Sequence, residues 1–217
     1  MQGPLLLSLK VSLLATLAVT AAGLAAAFAL AGAKFRGKGL VEAALLLPLV
    51  LPPTVTGYYL VMLLGRSGLV GRQVYAWTGW NIMFTWQAAA VAAAVVAFPI
   101  MQATAQSAIE AVDREMIDSS TMLGYSRVET ALRVTLPLAW RGIFAGIALS
   151  FTRAMGEFGA TLMLAGNIPG RTDTMPLAIY SAAVSGDWDR AHLLVAALTL
   201  LSVAMLAASR GFARRLL

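Results

Sequence analysis

Residues 11–33 read VSLLATLAVTAAGLAAAFALAGA, a run of 23 positions without a charge, and the five that follow, Lys34-Phe35-Arg36-Gly37-Lys38, hold three cations. As helix, such a run is long enough to cross the hydrocarbon core of a bilayer, which takes about 20 apolar residues. A secretory signal carries its positive charges ahead of the apolar run. Here only Lys10 precedes it and the cations follow, which places the start of this helix outside the cell and its end in the cytoplasm.

The rest of the 217-residue chain is in keeping. The residues A, V, I, L, M, F, W, Y and C make up 59% of it and charged residues 12%, with a mean hydropathy of +0.79. A soluble domain carries about 25% charged residues, so a soluble enzyme is excluded, and the apolar content excludes disorder. There is no cysteine, hence no disulfide framework, thiolate zinc site or catalytic thiol. A single histidine, His192, leaves no histidine-rich metal cluster.

Four further apolar runs are long enough to span: 43–64, which carries Pro48, Pro52 and Pro53; 84–105, with Pro99 inside; 142–164, which holds Arg153 and Glu157; and 191–209, with His192 at its edge. Met175–Val184 is too short to cross. The expected fold is therefore an all-α integral membrane protein, one transmembrane domain over 1–217 with about five helices, N-terminus outside and C-terminus cytoplasmic. Charge placement agrees. Ten basic residues fall inside (Lys34, Arg36 and Lys38; Arg114, Arg127, Arg133 and Arg141; Arg210, Arg214 and Arg215), against four outside: Arg66, Arg72, Arg171 and Arg190. The positive-inside rule thus accounts for the net charge of +6 without nucleic acid. Trp77, Trp80 and Trp86 cluster at the outer end of the third span, as interfacial aromatics do.

The long inner loop, 106–141, is patterned as amphipathic helix, with Ile109, Val112, Met116 and Leu123 near one face. Gly124 ends or bends it, and a second short helix, 127–135, is expected to stop before Pro137. Amphipathicity alone fits either an interfacial helix pair or a docking platform for a soluble partner.

Within that loop stand Asp118-Ser119-Ser120, three residues, Gly124, nine residues, then Val134-Thr135-Leu136-Pro137. This resembles the EAA motif of bacterial ABC importer permeases: E-A-A, three residues, G, nine residues, I-x-L-P. Asp118 stands for the glutamate, Ser119 and Ser120 for the alanines and Val134 for the isoleucine, while Gly124, Leu136 and Pro137 match outright. The resemblance implies the type I importer permease (MetI-like) fold. It also implies that these seven residues form the coupling element inserted into a groove of a separate ATPase.

The fourth span places Arg153 and Glu157 inside an apolar run, where each charge costs about 2.5–3.5 kcal/mol on insertion scales. At i,i+4 they can pair, which fits either a structural salt bridge or a lining of the path. Gly156 and Gly159 permit close helix approach, as packing or as a gate. The stretch Gly156-Glu157-Phe158-Gly159-Ala160-Thr161, then Ala165-Gly166-Asn167-Ile168-Pro169-Gly170-Arg171-Thr172 and Thr174–Tyr180, looks like the permease subunit of molybdate ABC importers. So does Leu47–Leu60, and the likeness runs from about residue 5 to 205. Sulfate and tungstate permeases are close relatives. The resemblance implies an importer of molybdate, with tungstate or sulfate as the alternative oxyanion. Its implied partners are a pair of ATPases that hold ATP-Mg, a second permease copy, an external molybdate-binding protein and the lipid bilayer of the cytoplasmic membrane.

Pro48, Pro52 and Pro53 remove backbone donors from the second span, and irregular backbone at membrane depth needs protein or a water-filled cavity beside it. That span is expected to face the path or the partner copy. Thr54, Thr56 and Tyr58 could offer hydroxyls to an oxyanion or satisfy kinked backbone. In the outer loops, Arg66, Arg72, Arg171, Asp173, Asp187, Asp189 and Arg190 are candidate contacts for the binding protein, or simply solvated. The chain lacks the G-x-x-x-x-G-K-[ST] phosphate loop, so it is not expected to hydrolyse ATP or to bind a cofactor or metal itself. An independent channel or secondary transporter is disfavoured by the lack of an internal repeat. An intramembrane enzyme is disfavoured because Ser150 and His192 sit on different spans.

Overall fold

The computed structural model describes residues 3–215, the side chains of 206 and 208–215 excepted, so those of Arg210, Arg214 and Arg215 in the expected basic tail lie outside the described residues. The described regular structure is helical: α1 (Pro4–Ala31), α2 (Lys38–Val50), α3 (Pro53–Leu64), α4 (Gly71–Thr78), α5 (Trp86–Glu110), α6 (Arg114–Met122), α7 (Arg127–Thr130), a π-helical turn (Ala131–Thr135), α8 (Leu136–Met155), α9 (Gly159–Ala165), α10 (Met175–Val184) and α11 (Trp188–Arg215). Four helical runs are long and apolar enough to cross a membrane, and a fifth crossing results when α2 and α3 are taken as one bent span.

The core is α1, α5 and α8. In lipid the driving force between helices is close packing rather than water exclusion, which favours small residues. α5 supplies them: Ala88, Ala89, Ala92, Ala93 and Ala97 are all but fully buried. α1 runs parallel to α5. The Lys10 ammonium sits 3.6 Å from the centre of the Trp86 ring, and further along Gly23 lies where a Cβ would meet Met101 and Gln102. α8 runs antiparallel: Gly142 abuts Ala108, Gly146 faces Met101 and Thr104, and the Ser150 hydroxyl points at the Ala97 carbonyl. These directions are those of five alternating crossings.

Two expected spans differ in form. The run 43–64 is not one kinked helix. Pro48 lies inside α2, and the break falls at Leu51–Pro52, where α2 and α3 meet at 108°. Pro53 opens α3, a position where its missing N–H is no loss. α2 begins level with the end of α5, since Lys38 bonds Glu110 at 3.2 Å. α3 ends at the opposite level, with Gly65 near Met83.

The run 142–164 is also broken, and it starts earlier. α7, the π turn and α8 form one rod of 29 residues, Arg127–Met155, so the second loop helix does not stop before Pro137. The wide π turn just ahead of Pro137 absorbs its missing donor. The rod ends at Gly156, and α9 resumes at Gly159. Arg153 and Glu157 therefore lie either side of a helix end, not on one continuous helix. The inner loop narrows to the segment between Glu110 and Arg127, because Ile109 belongs to α5 and Leu136 to α8.

The two broken spans meet. α3 and α9 run side by side with Gly159 against Pro53 and the Thr54 nitrogen, and with Gly57 against Ala160 and Met163. A Cβ on Gly57 would lie 2.7 Å from Met163 Cβ and 2.9 Å from Ala160 Cα, neither of which is a flexible chain end. Gly57→Val is expected to lower stability by about 1–3 kcal/mol, as overpacking does. Thermal unfolding of the purified protein in detergent should show it, with Gly39→Val, where nothing lies within 4 Å, as the neutral comparison.

Candidate functional site

The inner platform is built from capping chemistry. Asp113 opens α6, its carboxylate accepting the Glu115 N–H at 3.0 Å. α6 closes at Gly124, with φ +87°. The Gly124 N–H donates to the Thr121 carbonyl and the Tyr125 N–H to the Ser120 carbonyl. That is the paired-bond helix stop in which the residue after the cap must be left-handed. A Cβ at Gly124 would touch nothing within 4 Å, so glycine is required by backbone conformation, not by space. Ser126 then opens α7 with a reciprocal box: its hydroxyl accepts the Glu129 N–H, and the Glu129 carboxylate accepts the Ser126 N–H at 2.9 Å.

The two helices are fastened by Ser120 and Thr130, buried hydroxyls 2.9 Å apart. Of the residues singled out by the motif, Ser120 is thus a small buried contact. Asp118 and Ser119 are exposed, Val134 and Leu136 half-buried, and Pro137 exposed near the start of α8. The apolar face expected of the loop divides: Ile109 and Val112 are buried, while Met116 and Leu123 are exposed, joined by Met122 (87% exposed), Val128 and Leu132.

A polar ladder bolts the start of α2 to the end of α5. The Gln102 amide donates to Gln106, the Gln106 amide to Glu42 (2.6 Å) and Glu110 (2.9 Å), and Lys38 ion-pairs with Glu42 and Glu110. Sequence reasoning passed over it, although Gln102, Gln106 and Glu110 recur every four residues on one helix face. The Ser126–Glu129 box was likewise legible as S-x-x-E.

At membrane depth, Arg153 Nη1 lies 2.7 Å from Glu157 Oε2. The Glu157 side chain is 1% exposed and that of Arg153 26%. The other Glu157 oxygen accepts the Ala160 N–H at 2.8 Å, so the carboxylate also caps α9. Glu157 is closed in by Ser8, Ser12, Thr161 and Thr174 with no free volume, packed towards α1 and α10. Arg153 is the member of the pair with an open side. Gly156 and Thr54 are exposed, Gly159 is buried against Pro53, and Thr56 is buried with its hydroxyl unbonded.

The outer candidates scatter. Arg66 donates to the Tyr75 hydroxyl at 2.9 Å and stacks on its ring. Arg72, Arg171, Asp189 and Arg190 are exposed, and Asp187 caps α11 through the Arg190 N–H. Asp173 is buried and accepts the Gly170 N–H at 2.8 Å, so it braces its own loop. Burial pushes its carboxyl above the usual range, and the Gly170 bond only partly offsets this.

A five-crossing helical bundle whose two broken spans meet, carrying a capped helix pair on its cytoplasmic end, is the architecture of a permease subunit. The sequence model of the binding-protein-dependent transport system inner membrane component matches residues 8–217, and the chain belongs to that family. It is a multi-pass inner-membrane subunit of an ABC importer, not itself catalytic and with no cofactor of its own, the ATPase being a separate chain. Among relatives, it is 41% identical over 203 residues to the molybdenum transport system permease protein ModB of Escherichia coli K12, covering 93% of this chain and 89% of that one. It is 39% identical to the putative molybdenum transport system permease protein YvgM of Bacillus subtilis, covering 94% and 89%. Its fold matches a chain of the MetNI methionine ABC transporter in an inward-facing conformation, with a TM-score of 0.76 at 16% identity, covering 97% and 93%.

Glu157 holds both Arg153 and the start of α9, so its loss leaves a guanidinium uncompensated and a helix uncapped. Breaking a buried pair costs about 3–5 kcal/mol, less here because Arg153 is partly exposed. Glu157→Ala is expected to lower the melting temperature in detergent more than Glu157→Gln, which keeps an acceptor for the Ala160 N–H. Equal melting of the two variants would remove the capping role.

Proposed function

We propose that this chain is the membrane-spanning permease subunit of an ATP-driven importer of molybdate, taking tungstate by the same charge and shape. The observation that carries the reading is the junction of the two broken spans, with Arg153 open on one side and held by Glu157 on the other. The substrate class rests on relatives whose names state molybdenum transport, at about two-fifths identity over nearly the whole chain.

A discontinuous membrane helix offers an anion the unpaired N–H groups at its restart. α3 restarts at Pro53; the prolines carry no N–H and the Val55 and Thr56 N–H groups donate to the Pro52 carbonyl, so the N–H and hydroxyl of the exposed Thr54 are the donors this restart has left. Arg153 adds a full positive charge and Glu157 removes enough of it that a dianion is not trapped. A second copy of the chain related by two-fold symmetry would present the same groups from the opposite side. Gly156 and Gly159 give the junction room to open and close.

Asp118, Ser119, Ser120, Gly124, Val134, Leu136 and Pro137 form the coupling element for a pair of ATPases that bind ATP-Mg. Its exposed Met122 and Leu123 are the side chains we expect in the ATPase groove. Movement of the platform passes into the 29-residue rod that begins at Arg127. On the outer side, Arg66, Arg72, Arg171, Asp187 and Asp189 are candidate contacts of a molybdate-binding protein.

Labelled molybdate uptake tests the whole reading, in cells carrying this chain with its cognate ATPase and binding protein and in cells lacking only this chain. We expect chain-dependent uptake that tungstate blocks and sulfate does not. Equal blocking by sulfate would move the assignment to a sulfate-type permease.

Two variants separate the parts. Gly124→Val, which forces a β-branched residue into left-handed backbone at a cost above the roughly 1–2 kcal/mol of an ordinary side chain, is expected to abolish uptake. Gly124→Asn, which tolerates that backbone, should retain most of it. Arg153→Gln should reduce uptake at least tenfold while the ATPase still co-purifies, and Arg153→Lys should restore part. Loss of expression in place of loss of transport would assign Arg153 to structure alone.

A further inference from the structure

Between the platform and the bundle lies a cavity of about 650 Å³, within the roughly 300–1,000 Å³ of small-molecule sites. Its walls come from two bodies: the ends of α1 and α5 with the start of α2 on one side, and α6 with α7 and the π turn on the other. Four cations line it, Lys34, Lys38, Arg114 and Arg127, against two carboxylates, Glu110 and Asp118. Lys38 is already shared between Glu42 and Glu110. Lys34, Arg114 and Arg127 have no ion-pair partner among the described residues. Three free guanidinium or ammonium groups therefore face one space with a single free carboxylate.

The remaining wall is apolar: Phe28, Ile109, Val112 and Ile117. α1 ends at Ala31 and α5 at Glu110, so the cavity sits where the hydrocarbon gives way to the cytoplasmic headgroups. A ligand suited to it has a phosphate for the cations and an apolar shoulder for the phenyl and aliphatic side chains.

We propose that this cavity binds the headgroup of an anionic phospholipid of the cytoplasmic leaflet. Basic pockets between membrane helices on that side select such headgroups. A free oxyanion would satisfy the cations but leave the apolar wall wet. The lipid phosphate bridges Lys34 on the bundle to Arg114 and Arg127 on the platform, and so braces the helix pair against the spans on the side away from Met122 and Leu123. The proposal does not depend on which ion is transported.

The test uses the complete transporter, permease with ATPase, in nanodiscs of phosphatidylcholine with added phosphatidylglycerol. Retained phosphatidylglycerol is counted by native mass spectrometry after exchange into neutral detergent. The double variant Lys34→Gln, Arg114→Gln should retain at least about fivefold less, since each surface cation near anionic lipid contributes about that factor. Arg36→Gln removes an exposed cation on the same side but outside the cavity, and should retain as much as the unaltered complex. Equal retention by all three, or equal loss in both variants, overturns the proposal. If the double variant does not assemble, the unaltered complex decides. Retention that survives excess phosphatidylcholine and millimolar phosphate or molybdate supports a lipid site. Displacement by either free oxyanion overturns it in favour of an ion site.

Discussion

Hydrocarbon offers no partner to a backbone N–H or C=O, and the departures from plain helix at membrane depth in this fold answer to that constraint. Two spans are broken, and each restart exposes donors that nothing in lipid could satisfy. α3 meets the problem by placing Pro52 and Pro53 at the restart, which removes two donors from the chain. α9 meets it with Glu157, whose carboxylate takes the Ala160 N–H at 2.8 Å. α10 borrows from another helix, the Met175 N–H donating to the Ser8 hydroxyl at 2.7 Å. The carboxylate is the costly device, since a buried negative charge needs a counter-ion, and Arg153 at 2.7 Å supplies it. The Arg153–Glu157 pair in the fourth span follows from the break in that span.

The same rod joins the two ends to which function is proposed. Arg127–Met155 spans 29 residues, roughly 43 Å of helix at 1.5 Å per residue. Its lower end is locked into the platform by the Ser126–Glu129 box and the Ser120–Thr130 contact. Its upper end stops at Gly156, one residue from Glu157. Apart from the π turn no break lies within the rod, and at its end the Arg153–Glu157 pair and the Glu157 cap tie it to the start of α9, the helix that meets α3. A separate helix stopping before Pro137 would have put a hinge in this line.

The crossings, their order and the inner platform were legible because they rest on composition, length and charge asymmetry, which are local properties of the chain. Gly124 was legible because a left-handed helix stop leaves a fixed signature in sequence. The breaks were only half legible. Three prolines marked the second span, yet the helix tolerates Pro48 and breaks at Leu51–Pro52. In the fourth span the marker was the pair Arg153 and Glu157, and its i,i+4 spacing suggested a continuous helix where one in fact ends. The Gln102–Gln106–Glu42–Lys38 ladder and the meeting of Pro53 with Gly159 join residues 64 and 106 positions apart in the chain. Such contacts depend on which helices become neighbours, and no window along one segment contains that information.

The elbow between α2 and α3 argues for where this subunit must sit. Among the described residues of α2 none is buried, and Pro52, Pro53 and Thr54 at the bend are exposed. Broken backbone at membrane depth cannot face lipid tails, so in the membrane this surface needs protein or water against it. The chain has used its own small-residue seam, Gly57 and Gly159, to bring α9 to one side of the elbow. The other side stays uncovered by this chain. A second subunit placed there would cover the bend, and the space between two such elbows would be lined by irregular backbone and threonine rather than by leucine. In the function proposed above, an inter-subunit path for a dianion is the arrangement in which the exposed bend carries no penalty and the open side of Arg153 has a use.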